Sequence, residues 1–284
     1  MADLISVIVA TYNRPDALDA VLRSLAAQTD RNFEVIVADD GSRPETARIA
    51  ADWAKRTEIP IKHVWHEDAG FRLAEIRNRA IRASAGCYCI FLDGDCLARP
   101  DFVATHRALA ADGWFVTGSR LLLSRELTSR VLRTGLDPER WGLAQWIMQR
   151  MRGRVNRVGP LMLSRSGLSG RRQTRRWRGA RGSNMAFWRH DLDAVDGFDA
   201  AFTGWGREDS DIFVRMIRHG VRRRDGRLGA TVLHLWHPDA DRSRLDANQS
   251  QLDALLAANR VRARQGLSWL AESTEHRRQE PAHR

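Results

Sequence analysis

Three apolar runs, at 5–10, 33–38 and 87–92, each stop at a turn rich in carboxylates or hydroxyls, and this repetition restricts the fold more than any other feature of the chain. Runs of this length are too short for helices and suit strands buried on both faces. Between them the periodicity becomes helical. Leu18, Val21, Leu22 and Leu25 share one face, behind Asn13 as a plausible cap and Pro15 in a first turn. Further helices are expected over about 43–56 and 72–85, with another strand at 61–64. The alternation predicts an α/β protein with a mostly parallel, doubly wound central sheet and flanking helices. Ligands of such sheets lie outside the carboxyl ends of the strands, so the turns at 11–14, 39–42 and 93–96 should converge on one crevice.

The turn after 87–92 is Asp93-Gly94-Asp95. Two carboxylates projecting from a strand end offer hard oxygens to a divalent cation bridged to a diphosphate. Asp39-Asp40-Gly41-Ser42 ends the 33–38 run, where a carboxylate can accept from a base N–H or a ribose hydroxyl, although Asp, Gly and Ser also build ordinary turns and caps. The segment Gly70-Phe71-Arg72 precedes a helix carrying Arg77 and Asn78, and an Arg there is placed to meet a diphosphate. In Gly204-Trp205-Gly206-Arg207-Glu208-Asp209-Ser210-Asp211, the helix dipole would account for one or two acids in a first turn. It does not account for Gly-Trp-Gly, which can hold an indole against a sugar face beside a carboxylate that takes a proton. A late strand ends in His234-Leu235-Trp236-His237, and either imidazole can complete a metal site begun by Asp95.

Beyond Asp95 the sequence predicts a helix near 101–112, strands at 114–117, 182–188 and 230–234, a helix at 207–219 and a long one over 243–265. The net charge of +11 is concentrated: residues 120–182 hold 16 Arg against Glu126, Asp137 and Glu139, which leaves the rest near neutral. Trp141, Leu143, Trp146, Ile147, Met148 and Met151 lie among these arginines, as in a basic interfacial helix able to rest on anionic lipid. A solvated insertion with a few Trp packed on the domain fits the same residues. Cys87, Cys89 and Cys96 fit buried thiols better than a disulfide framework. The first 30 residues lack a basic region followed by an apolar one, and no run approaches the roughly 18 apolar residues of a membrane span. A cytoplasmic protein is expected, in contact with the inner face of the membrane if residues 139–178 act as an anionic-surface anchor.

In their order and spacing, 7–14, Asp39-Asp40-Gly41-Ser42, Gly70-Phe71-Arg72 with Arg77-Asn78, Asp93-Gly94-Asp95 and Glu208-Asp209 resemble a family 2 glycosyltransferase of the GT-A fold over roughly residues 4–240. Gly70-Phe71-Arg72-Leu73-Ala74 is similar to the N-terminal module of bacterial chondroitin polymerases, and Gly204 to Asp209 to the acceptor-side motif of β-1,4-galactosyltransferases. The resemblance implies a Rossmann-like domain at 1–242, with a nucleotide-sugar half to 118, a basic, partly helical insertion at about 120–182 and an acceptor half from 183, followed by a C-terminal helix and flexible tail to 284. It implies an inverting transfer from a nucleoside diphosphate sugar, UDP-linked, to a saccharide or lipid-linked acceptor in surface polysaccharide or lipopolysaccharide synthesis. Asp39 would read the base, with Thr11, Tyr12 and Arg14 lining the pocket and Arg72 and Arg77 near the diphosphate. Asp93 would contact the ribose or donor sugar, and Asp95 with His234 or His237 would bind Mn²⁺ or Mg²⁺. Asp209 would be the general base and Glu208 would hold hydroxyls, with Trp205, Gly206 and Asp211 at the acceptor. A nucleic-acid-binding reading follows from the arginines but leaves the acids unexplained. A nucleotidyltransferase would also use a metal-binding acidic pair in an α/β sheet, but it does not call for the Gly-Trp-Gly-Arg-Glu-Asp stretch. A noncatalytic protein that kept the fold would have no need of the intact acids.

Overall fold

The computed structural model describes residues 2–163, 173–174, 176–227 and 229–272. In chain order the elements are β1 (Ile5–Thr11), α1 (Pro15–Ala26), β2 (Phe33–Asp39), α2 (Pro44–Arg56), β3 (Ile61–Trp65), α3 (Leu73–Ala83), β4 (Tyr88–Asp93), β5 (Cys96–Ala98), α4 (Phe102–Leu109), β6 (Trp114–Thr117), β7 (Ser119–Leu122) and α5 (Arg125–Thr134). After a single 3-10 turn, Pro138–Arg140, come α6 (Leu143–Met151), α7 (Gly159–Leu163), β8 (Gln173–Thr174), β9 (Asn184–Trp188), α8 (Arg189–Ala194), α9 (Glu208–Arg218), β10 (Arg222–Asp225), β11 (Thr231–His234) and α10 (Leu245–Ala257).

The main sheet has the order β3-β2-β1-β4-β9-β6-β10-β8. β1 pairs in parallel with β2 and β4, β2 with β3, and β6 with β10, while β9 runs antiparallel between β4 and β6. The central runs are continuously apolar because both faces are covered. Val7, Val9, Val35, Val37, Ile90 and Leu92 face one core with α1, whereas Ile8, Ile36, Cys89 and Phe91 face another with α3 and α9. The register aligns Thr11 with Asp39 and Ala10 with Asp93, so the three polar turns leave the sheet at the same level.

The mostly parallel sheet agrees with the sequence expectation, but the structure adds short elements and shifts others. β5, β7 and β11 make a separate three-stranded sheet, so the 230–234 strand lies outside the central one. The helix expected over 243–265 stops at Ala257; Leu252 and Leu255 pack on Val214, and Arg218 donates to the Leu255 carbonyl at 2.8 Å. The tail expected beyond it lies, from 273 onward, outside the described residues. Asn13 does not cap α1. It sits at φ 48° and its Oδ1 accepts from the Arg43 N–H at 3.0 Å, tying two turns together. Cys89 and Cys96 are buried free thiols, while Cys87 is exposed.

Candidate active site

One side of the crevice is built by the first two turns. Asn13 N–H donates to Ser42 Oγ at 2.8 Å, and Asp40 N–H to the Thr11 carbonyl at 3.0 Å. Asp39 is buried; its Oδ1 accepts from the Ser42 N–H at 2.8 Å and its Oδ2 lies 2.9 Å from His63 Nε2. Thr11 is buried, its hydroxyl without a hydrogen-bond partner among the described residues, and Tyr12 stands exposed at the rim, donating to Asp68 Oδ2 at 2.9 Å. Arg14 is paired with Asp16 at 3.0 Å.

Asp40 organises the next loop. Its Oδ2 accepts from the Arg72 N–H at 2.9 Å and its Oδ1 lies 2.6 Å from the buried His66, whose other nitrogen is 3.7 Å from Glu75. Burial opposes charging of His66, yet the bonds to Asp40 and Glu75 hold the imidazole above its ordinary value. The same contact with His66, reinforced by Arg79, brings Glu75 down to about 2. The Arg72 side chain lies along this loop, on Glu75 at 3.2 Å and on the Glu67 carbonyl.

Asp93 and Asp95 leave β4 on either side of Gly94, where a Cβ would come within 2.7 Å of the Ala10 carbonyl oxygen. Only glycine lets the turn fold this closely against β1. Asp95 is met by both imidazoles: His234 Nε2 at 3.5 Å from Oδ1 and His237 Nε2 at 3.3 Å from Oδ2. One carboxylate and two imidazoles with ligand atoms within 4.8 Å of one another form a donor set able to hold a divalent cation, and Asp93, Asp95 and Cys96 form a second group within the same span. The sequence offers either His234 or His237 as the late ligand; the fold brings both to Asp95.

Arg77 corrects an expectation. It is 1 % exposed and cannot present itself to a diphosphate. Its guanidinium lies beneath the acids, donating to Asp93 Oδ1 at 3.3 Å, Glu208 Oε1 at 3.4 Å and the Gly182 carbonyl at 3.5 Å, with its cationic carbon 5.3 Å from the Phe198 ring centre. Asp93 and Glu208 are thereby joined through one cation. Burial raises Asp93, with Arg77 opposing and Asp95 adding to the rise. Burial and the adjacent Asp209 push Glu208 up to about 7 despite Arg77. Asp209 is oriented by main-chain donors, Gly182 N–H to Oδ2 at 2.8 Å and Ser210 N–H to Oδ1 at 2.6 Å. Gly182 packs so tightly that a Cβ there would lie 2.8 Å from Asp209 Cβ. The residue before this pair, Arg207, takes φ 77°, a conformation disfavoured for a side chain with a Cβ, and so aims the first turn of α9 into the crevice.

Beside the start of α9, Trp205 opens onto a cavity of about 300 Å³ lined also by Phe71, Asp241 and Arg244, with Gly206 next in the chain to this wall. Gly204 N–H donates to the Phe71 carbonyl at 2.8 Å, joining the two loops, and Arg242 lies 5.1 Å over the Trp205 ring. Asp211 is not part of this wall. It is fully buried, bonded to Arg215 at 2.6 Å and 3.6 Å from Arg260, because the helical twist carries it from the crevice face to the core face of α9. Sequence reasoning missed His66 and Glu75, which brace Asp40, and Gly182, which holds Asp209. Their spacing carries no motif; only the fold joins them.

A family model for glycosyl transferase family 2 matches residues 6–172, and one described as the N-terminal domain of galactosyltransferase matches residues 167–237. Validoxylamine A glucosyltransferase of Streptomyces hygroscopicus subsp. jinggangensis is 33% identical over 235 residues, covering 77% of this chain and 52% of that protein. Chondroitin synthase of Escherichia coli is 28% identical over 242 residues, covering 77% and 33%. The chain thus spans about half the length, or less, of these curated relatives. Among solved structures, S. aureus TarS 1-349 in complex with UDP superposes with a TM-score of 0.60 at 15% identity, over 94% of this chain and 68% of that one. Mannosyltransferase PcManGT from Pyrobaculum calidifontis, in complex with GDP-Man and Mn²⁺, gives 0.56 at 18% identity over 99% and 81%.

Proposed function

Because this chain belongs to glycosyl transferase family 2, we propose that it is an inverting, metal-dependent transferase that moves a hexose or N-acetylhexosamine from a nucleoside diphosphate sugar to a saccharide or lipid-linked acceptor. The donor is read as UDP-linked and the product as surface polysaccharide or lipopolysaccharide. The observation that carries this reading is the single crevice in which Arg77 ties Asp93, on the donor side, to Glu208, next to Asp209 on the acceptor side. In this reading residues 1–118 form the donor half, about 120–182 the insertion and 183–242 the acceptor half, with a C-terminal helix and tail to 284.

Asp209 takes the proton of the acceptor hydroxyl, its carboxylate fixed by the Gly182 and Ser210 N–H groups. The acceptor oxygen then bonds to the anomeric carbon from the face opposite the diphosphate, whose C–O bond breaks, and the configuration inverts. Glu208 and Asp93 hold donor or acceptor hydroxyls, and Trp205 stacks on the acceptor sugar in the adjoining cavity. Asp39, Thr11 and Tyr12 receive the nucleoside. Asp95 with His234 and His237 would hold Mn²⁺ or Mg²⁺, which when bound supplies positive charge against the departing diphosphate.

α6 supports a membrane-surface role for the insertion. Leu143, Ile147, Met148 and Met151 are exposed along it, Met151 at 81 %, beside the exposed Arg150 and Arg152. Trp146 is buried in the core and Trp141 packs against it, so the aromatic part of the expected interfacial face turns inward as an anchor for the helix. Part of the 139–178 segment lies outside the described residues. Among the described residues no helix is long and apolar enough to cross a membrane.

The test is a titration of nucleotides and nucleotide sugars into the purified chain, with Mn²⁺ or with chelator, read as a thermal midpoint. A ligand at 100 times its Kd adds about 2.7 kcal/mol. A metal-dependent shift with one uridine diphosphate sugar is expected; no shift with any nucleotide, on folded protein, overturns the proposal.

A further inference from the structure

Arg120, Arg157 and Arg181 form a positive wall along one side of the crevice that nothing in the transfer chemistry above uses. Neighbouring arginines are neutralised, Arg154 by Glu126 at 2.5 Å and Arg227 by Asp225 at 2.6 Å, whereas none of these three has a carboxylate in ion-pair range among the described residues. The three converge from separate segments. Arg120 lies on β7, paired with Val232 two residues before His234, and its charge acts on Asp93 and His234. Arg157 donates to the Arg120 main-chain carbonyl at 2.8 Å. Partial burial and the guanidiniums of Arg181, Arg227 and Arg120 hold Arg157 below its ordinary range, so these like charges stand close together. Arg181 directly precedes Gly182, whose N–H orients Asp209. The wall therefore runs from the Asp95 side of the crevice to the acceptor base.

Like charges gathered without counter-ions cost free energy that an anion recovers, and guanidinium forks match phosphate oxygens in geometry. Arg157 and Arg181 are exposed, Arg157 in the insertion and Arg181 one residue before the Gly182 that bonds Asp209, which would place an anion held by them beside the acceptor rather than by the base-reading turns. We propose that Arg120, Arg157 and Arg181 bind a phosphate carried by the acceptor, so that the substrate class is a phosphorylated saccharide or a saccharide linked to lipid through phosphate. This rests on the transferase reading above.

The experiment is calorimetric titration of inorganic phosphate into the full chain, first alone and then with UDP and Mg²⁺ saturating, for the wild type, Arg157→Gln, Arg181→Gln and the two Arg→Lys forms. Phosphate should bind the UDP-loaded wild type, each Gln variant should lose roughly tenfold in phosphate affinity, the Lys forms should fall between, and UDP affinity should stay unchanged. Phosphate that competes with UDP, together with variants that weaken UDP to the same degree, would make these arginines donor ligands and overturn the assignment. Equal phosphate affinity in all variants also overturns it. If UDP fails to bind the wild type, the transferase reading fails, and the titration of unliganded chain still decides the wall by the same tenfold criterion. Vesicles of phosphatidylglycerol, against phosphatidylcholine, separate the sources. Parallel losses toward vesicles and phosphate assign a lipid-borne phosphate, loss toward phosphate alone a soluble one, and loss toward vesicles alone reduces the wall to general surface charge and overturns the proposal.

Discussion

The guanidinium of Arg77 lies 3.4 Å from Glu208 across 131 residues of sequence, and it is a buried cation shared by Glu208 and Asp93. The same side chain reaches Asp93 at 3.3 Å, so removing it takes the paired cation from both carboxylates at once. Breaking a buried pair costs about 3 kcal/mol or more. Arg77→Met should lower unfolding stability in urea by about that amount and weaken donor and acceptor function together. A loss below about 1 kcal/mol would show that the contacts contribute little.

The carboxyl of Glu208 sets a pH dependence of stability. Burial, then the Asp209 charge, raise it to about 7, above its ordinary value of 4.5, so the folded protein binds more protons than the unfolded chain between these values. The group's contribution is fully present below the unfolded value and is lost as pH rises through about 7. Unfolding free energies of wild type and Glu208→Gln, compared from about pH 4 to 8, should show the wild type losing stability relative to the variant over that window. A constant difference would contradict the shift.

For Asp209 the prediction concerns turnover. Asp209→Asn should lower kcat by roughly 10²–10⁴-fold, the usual contribution of a general base, with donor affinity little changed. Near-normal turnover removes Asp209 from that role.

The Asp95 site predicts a metal response. Asp95→Ala should abolish the Mn²⁺-dependent part of the thermal shift given by a uridine diphosphate nucleotide, and His234→Ala with His237→Ala should do the same, since all three donors lie within one coordination span. A metal titration of either variant that matches the wild type would place the cation elsewhere.

On α6, Ile147→Glu with Met151→Glu replaces two exposed apolar side chains by acids and should abolish sedimentation with anionic vesicles at low salt. The fold should be retained, because neither residue belongs to the core. Unchanged sedimentation would show that α6 is not the contact.

Most of the central sheet and the crevice turns were legible in the chain. The runs ending at Thr11, Asp39 and Asp93 are apolar throughout because they are buried on both faces, and parallel pairing in register brings their polar ends together. The sequence placed α2 and α3 within a residue or two and the start of α1 at Pro15, and the acids Glu208 and Asp209 behind two glycines marked the start of α9. Short strands such as β5, β7 and β10 were not legible, since three or four residues carry too little pattern to separate from loop.

What the sequence by itself determined is therefore the local chemistry: which runs are apolar, which turns carry acids, and where helices begin. What only the tertiary structure decided is which side of each element those groups face and what they meet. Arg77 and Asp211 look available in the sequence, yet the helical twist of α3 and α9 turns both into the core, Arg77 to carry Asp93 and Glu208 and Asp211 to bind Arg215. Likewise His234 and His237 became joint partners of Asp95 only because β11 pairs antiparallel with β5, setting His234 opposite Cys96. Electrostatic partners are fixed by distances of a few ångströms, and residues more than a hundred positions apart reach those distances only when the sheet is assembled.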